Sequence, residues 1–349
     1  MSTEEPSSLT GHERPAAGTG DDEPFERADS FKVGILGGKG VGKSYLFQAI
    51  TYRTYAGTHA GALTYFLDQD ATRLWRALQR SDQPEALNIQ RFLKSFTSWE
   101  RLPQTMLLTQ SWYRLRLSYR SGLLGRRRSA VDLDFFDGSG EGLFEALPDA
   151  ANREVWRAGF LAARVLVFCL PLWVVFPAPQ LTDADWEERQ SRLERFEQVV
   201  QNYLELRHRA GSQRPVDTVL ALTMADDLRG GLPSLRERWI LHYLGAADSY
   251  LQELRSARGL ARYLANARQV SALLHQRFAA ASDPFVAGIP QKLDLGRGRP
   301  WLIPLSAIEG ARLDQGDAPA ARRAIGPPVP VHVELPLLLT LCGSSNALM

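Results

Sequence analysis

The run Gly37-Gly38-Lys39-Gly40-Val41-Gly42-Lys43-Ser44 constrains this chain more than any other feature: it meets the pattern G-x-x-x-x-G-K-[ST] at every fixed position. Its flanks fit the same pattern. Phe31 to Leu36 in front of it reads as a short buried strand, and Tyr45 to Ile50 behind it as the first turns of a helix. Glycines in such a strand–loop–helix unit let backbone N–H groups turn inward around phosphate oxygens. The helix N-terminus adds its partial positive charge. Lys43 is expected to reach the β- and γ-phosphates and the Ser44 hydroxyl to bind Mg²⁺, with the backbone through Tyr45 completing the cradle. The motif predicts binding of a nucleoside triphosphate.

Composition sets the surroundings. The 349 residues are 44% hydrophobic and 23% charged, an ordinary globular balance. A formal net charge of +2 argues against nucleic acid or an anionic membrane as a partner. Cys169 and Cys342 lie too far apart to give a metal-ligand spacing, and the six histidines are scattered. Residues 1–29 are polar and rich in Pro, Gly, Asp and Glu, so a disordered tail is expected there, without a secretory signal. The most apolar run, Val165 to Phe176, contains Pro171. It is shorter than the roughly 20 residues that span a bilayer, and it reads as a buried strand. The expected location is cytoplasmic.

Beyond the tail, one domain is expected over 30–349, with helical insertions at about 62–103 and 233–283. Leu67, Leu74, Leu78, Leu87, Phe92 and Phe96 have approximate helical spacing. Ser111 to Leu117 and Val131 to Phe136 read as strands joined by a hairpin loop from Gly122 to Arg128, which puts Arg126-Arg127-Arg128 on a solvated tip. Glu141 to Ala163 reads as a helix. Asp183 to Arg209 reads as a long amphipathic helix capped by Thr182 or Asp183, with Trp186, Leu193, Phe196, Val200, Tyr203 and Leu204 on its core face. Val216 to Thr223 and Trp301 to Leu305 are further buried strands, and Glu334 to Cys342 starts a closing helix. Almost wholly apolar strands alternating with helices predict an α/β fold, a mostly parallel sheet covered on both faces in a three-layer sandwich.

Three further motifs follow the phosphate loop in order. Asp137-Gly138-Ser139-Gly140 fits D-x-x-G at a strand end, where the carboxylate can hold a water on Mg²⁺. The Gly140 N–H can then approach a γ-phosphate. Thr223-Met224-Ala225-Asp226 resembles the base-recognition motif [NT]-K-x-D. Its aspartate accepts hydrogen bonds from guanine N1–H and N2–H₂, a donor pair that adenine lacks. Asp226 fits that role best, with Asp227 as the alternative. Met224 replaces the motif's lysine: its unbranched stem can pack as the lysine stem does, but it carries no ammonium. Ser306-Ala307 resembles the S-A motif whose backbone N–H reaches the guanine O6.

Taken together, the four motifs resemble those of the Ras-like P-loop GTPase superfamily, over Phe31 to Cys342 with insertions. The helical insertions and the ending Val333-Glu334-Leu335-Pro336-Leu337-Leu338-Leu339 most resemble the second type of the bacterial double-GTPase families. The resemblance implies a GTP/GDP-binding switch with Mg²⁺ and a P-loop NTPase fold. It also implies protein effectors or a GTPase-activating partner, a second GTPase among the candidates, in bacterial conflict or immunity systems. Thr105 or Thr109 would serve as the switch threonine on Mg²⁺ and the γ-phosphate. Glu141 stands where such enzymes usually carry a water-positioning glutamine. An ionised glutamate only accepts hydrogen bonds, so slow hydrolysis is expected. Two other readings stay open: a non-hydrolysing scaffold, motivated by Met224 and Glu141, and a P-loop ATPase or kinase.

Overall fold

The structure is a computed structural model. It describes residues 31–38, 40–43, 45–46, 49–50, 63–67, 73–76, 109–121, 127–138, 157–225, 227, 257–307, 312–313, 324–325, 331–336 and 338. The expected tail at 1–29, most of the expected helix from Glu141 and the first part of the 233–283 insertion lie outside these residues.

Strand β1 (Phe31–Leu36) is the middle of an eight-stranded sheet. On one side it pairs in parallel with β5 (Arg127–Gly138), and β5 pairs antiparallel with β4 (Thr109–Ser121). On the other side come β6 (Val165–Pro171), β7 (Asp217–Thr223) and β8 (Trp301–Pro304), all parallel. A small separate ladder pairs β9 (Arg312–Leu313) with β10 (Ala324–Ile325). This is the mostly parallel α/β sheet expected of a P-loop NTPase fold. Residues that alternate along the strands are buried on both faces: Leu166, Phe168 and Leu170 on one, Val165, Val167 and Cys169 on the other.

The helices that cover the sheet follow local rules. Helix α1, described at residues 43, 45–46 and 49–50, opens at Lys43 behind the loop. A single helical turn, α2 (Leu172–Val175), follows β6 directly. Helix α3 (Asp183–Arg209) starts at Thr182, whose hydroxyl accepts from the Asp185 N–H at 3.2 Å. The Asp185 carboxylate accepts in return from the Thr182 N–H at 3.2 Å, completing a reciprocal cap. Phe196 and Tyr203 of α3 pack edge-on against Phe168 of β6. Helix α4 (Ala257–Ala279) runs beside β8, and α5 (Pro284–Lys292) begins at Asp283, whose carboxylate accepts from the Phe285 N–H at 3.0 Å. Among the described residues no helix is long and apolar enough to cross a membrane.

Several expectations need correction. The helical reading of 62–103 fails at β2 (Leu63–Leu67) and β3 (Arg73–Arg76), which both pair antiparallel with β4. Leu67 and Leu74 stand seven apart, which equals two helical turns but here separates two strands. The 13 residues of β4 are long enough to carry both, β2 along 115–119 and β3 along 109–112. The β4–β5 ladder continues to Ser121 opposite Arg127, so the connection is 122–126, and Arg127 and Arg128 belong to a strand. The apolar run to Phe176 is not all strand: it ends at Pro171, whose missing N–H closes the ladder, and then turns helical. Trp186 is 42% exposed. Arg189 occupies the buried position in its place, donating to the Val174 carbonyl at 2.8 Å and pairing with Asp283 at 3.3 Å. The Trp186 ring lies under that guanidinium.

Candidate functional site

In a parallel sheet, every strand presents its C-terminal end on the same edge, and ligands bind there. The phosphate loop leaves β1 at that edge. Its glycines are required by space and by backbone angle. A Cβ on Gly37 would stand 2.8 Å from the Cys169 carbonyl oxygen and 2.8 Å from Val41 Cγ2. Gly40 and Gly42 have φ of 71° and 90°, where a side chain is strained. The Gly42 carbonyl accepts from the Leu46 N–H at 2.8 Å, the first bond of helix α1, so the loop runs straight into a helix N-terminus. Lys43 folds back over the loop and donates to the Gly37 and Gly38 carbonyls at 2.7 and 2.8 Å.

Side chains from two other elements hold the loop from outside. The Thr223 hydroxyl, at the end of β7, donates to the Val41 carbonyl at 2.6 Å. Arg192 of α3 donates from Nη1 to the Gly40 carbonyl at 2.9 Å. The peptide bonds are trans, so a carbonyl and the next residue's N–H point in opposite directions. Fixing the Gly40 and Val41 carbonyls outward therefore presents the Val41 and Gly42 N–H groups on the loop's other side. That donor set, with the Lys43 ammonium and the helix end, fits a phosphate chain.

The segments after β7 and β8 meet at the same edge. The Leu305 N–H donates to the Leu222 carbonyl at 3.0 Å, and the Ala225 N–H to the Leu305 carbonyl at 3.2 Å. Met224 has φ of 53°, the left-handed region, and its Cε stands 3.9 Å from where a Gly42 Cβ would be. The Asp227 N–H closes the turn on the Met224 carbonyl at 3.0 Å. Ser306 is fully buried and exchanges two backbone hydrogen bonds with Val331, of 3.2 and 2.7 Å. The closing segment is thereby tied to the Ser306-Ala307 turn. It continues through His332, which stacks on Tyr263 and bonds its hydroxyl at 2.8 Å, into a helical turn at Leu335.

Of the residues singled out in the sequence, Gly37, Gly38, Gly40, Val41, Gly42, Lys43, Thr223 and Ser306 are linked at this edge by the contacts above, and Tyr45 and Ala307 follow closely in the chain. Asp137 is described through its backbone: it is the last but one residue of β5, opposite Ile35, which stands two residues before the loop. Lys39, Ser44, Thr105, Thr109's side chain, Gly140, Glu141 and Asp226 lie outside the described set, so the Mg²⁺ ligands expected at Ser44, Thr105 and Asp137 have no described side chains. Among the described residues no group of three or more His, Cys, Asp or Glu could hold a metal ion. Arg192 is the residue that sequence reasoning missed. Its Glu188 partner four positions earlier is visible in the sequence, but many helix surfaces carry such a pair.

Among the described residues, the clearly shifted titratable groups lie elsewhere. Burial pushes the Asp217 carboxyl above its usual range, against the pull of Arg297 at 3.1 Å. Asp217 opens β7 and so stands at the opposite end of the sheet from the loop.

No protein-family model matches the chain, and no curated protein sequence does. Among solved structures, the chain is similar to one in the signal recognition particle receptor SRb-GTP/SRX complex from Chaetomium thermophilum. The identity is 14% and the TM-score 0.30, covering 84% of this chain and 95% of that one.

Proposed function

We infer that this chain is a guanine-nucleotide switch: it binds GTP and GDP at the loop 37–44 and hydrolyses GTP slowly. One observation carries the reading. The Thr223 hydroxyl bonds the Val41 carbonyl across 182 positions, which joins the base-recognition segment to the phosphate loop in a single site. Thr223 ends β7 on the sheet edge from which the loop leaves, and its bond to the loop supports reading 223–226 together with the first motif.

Within this reading, Lys43 and the N–H groups of the loop hold the phosphates, and Asp226 reads the guanine edge with the Ala307 N–H. Ser44, Asp137 and Thr105 are the proposed Mg²⁺ ligands, a metal that would neutralise phosphate charge. Glu141 is the proposed water-orienting group, and its lack of a donor underlies slow turnover. Loss of the γ-phosphate would release the loops around Thr105 and Gly140. The resemblance of the closing segment 333–339 is the ground for proposing a bacterial multi-protein system of the conflict or immunity kind, with protein effectors reading the switch.

A second reading is a non-hydrolysing scaffold. Met224 favours it, because an uncharged side chain packs beside Gly42 where the motif has lysine. The two readings part on turnover after binding. Equilibrium binding of GTP, GDP and ATP with Mg²⁺ tests the common part: guanine nucleotides bind and ATP binds far more weakly. Equal binding of ATP would overturn the guanine reading.

A further inference from the structure

We propose that Arg192 is a positioning residue of the phosphate site, supplying from helix α3 the cation that Met224 does not provide. The inference rests on the nucleotide reading above. The loop's second anchor is charged: Arg192 Nη1 donates to the Gly40 carbonyl at 2.9 Å, and both terminal nitrogens lie within 3.8 Å of a Gly40 Cβ position. Position 224, which follows the other anchor Thr223, is uncharged and packs its Cε toward Gly42.

Arg192 is itself held by two neighbours. Its Nε and Nη2 take the Glu188 carboxylate at 2.9 and 2.7 Å, and its guanidinium lies over the buried Trp173 ring at 5.8 Å. Its side chain is only 17% exposed. One helical turn earlier, Arg189 pins α3 to the Val174 carbonyl and to Asp283. A mobile surface arginine has none of these supports. Arg209, near the C-terminal end of the same helix, pairs with Glu205 in the same i,i+4 pattern but is 72% exposed.

This geometry has a definite consequence. With the Gly40 carbonyl held by a charged donor, the Val41 N–H of the same peptide unit faces the ligand side without reorganising when phosphate arrives. Removing the guanidinium frees that peptide to rotate and takes a positive charge from the loop's rim. Hydrogen bonds to charged groups are strong enough that the loss should weaken triphosphate binding by about tenfold or more.

The test is calorimetric titration of the full chain with GTP and Mg²⁺, paired with thermal melts of the nucleotide-free protein. Arg192→Ala is expected to bind at least about tenfold more weakly, Arg192→Lys to recover part of that loss, because it keeps the charge but not the paired and stacked contacts, and Arg209→Ala to match the wild type. Nucleotide-free melting temperatures should stay close across the set, which separates positioning from support of the fold. Arg192→Met, of similar length, replaces the alanine variant if that one does not fold. Equal affinities for Arg192→Ala (or Arg192→Met) and the wild type overturn the proposal and leave the nucleotide reading intact. An affinity loss that Arg192→Lys leaves wholly unrecovered also overturns it. No binding by the wild type overturns both.

Discussion

The Thr223 hydroxyl donates a 2.6 Å hydrogen bond to the Val41 carbonyl, so the end of β7 and the middle of the phosphate loop are one structural unit. Both residues are almost fully buried, Thr223 2% and Val41 2% exposed. A carbonyl buried there needs its donor. The bond also sets the direction of the Gly42 N–H, because the two groups share a peptide plane.

Thr223→Val keeps the shape and removes the hydroxyl. It should destabilise the fold by about 1–3 kcal/mol, the cost of a buried acceptor left without a partner. Urea unfolding measures it, and Thr223→Ser should recover most of the loss. A valine variant as stable as the wild type would show that the bond does not hold the loop.

The Lys43 ammonium bonds two loop carbonyls, Gly37 at 2.7 Å and Gly38 at 2.8 Å. Lys43→Ala should lower triphosphate affinity by at least about tenfold, since charge-assisted contacts to phosphate are lost. Fluorescence titration with a labelled triphosphate reads this directly. Unchanged affinity would place the phosphates elsewhere.

Gly37 and Gly288 make an opposed pair. A Cβ at Gly37 meets the Cys169 carbonyl oxygen and Val41 Cγ2, each at 2.8 Å, whereas one at Gly288 inside helix α5 meets nothing within 4 Å. Gly37→Ala should destabilise by about 1–3 kcal/mol through overpacking. Gly288→Ala should stabilise by up to about 1 kcal/mol through helix propensity and a less flexible unfolded chain. Chemical denaturation of both variants checks the signs, and the same sign for both would contradict the packing described.

His275 carries a pH dependence. Burial holds its imidazole below the ordinary value of 6.5, against the favourable bond from Nε2 to the Pro300 carbonyl at 2.8 Å. The unfolded chain therefore takes up the proton first as pH falls. Stability from this group is full above 6.5 and is lost as pH drops through 6.5 toward the lower folded value. Melting temperatures of wild type and His275→Gln, compared from pH 7.5 to 5.5, should converge on acidification. A constant difference across that range would contradict the shift.

Much of the scaffold was legible because its signals are local and agree with one another. β6 is a continuous apolar run, β1 and β7 are largely apolar, and α3 begins and ends where its cap and its amphipathic pattern place it. The illegible parts depend on partners distant in the chain. β2 and β3 are strands because β4 offers them an edge, which no periodicity within 62–103 reveals. Trp186 lies outside because Arg189 found the Val174 carbonyl and Asp283. Arg192 reads in sequence as one more helical ion pair. Its meeting with Gly40, 152 positions earlier, exists only in three dimensions.

The measurement that bears most directly on the switch reading is calorimetry of GTP, GDP and ATP with Mg²⁺ on the wild type and on Asp226→Asn. The account predicts selective binding of guanine nucleotides by the wild type and loss of that selectivity in the variant. ATP binding as tightly as GTP, or a variant that discriminates as the wild type does, would contradict it.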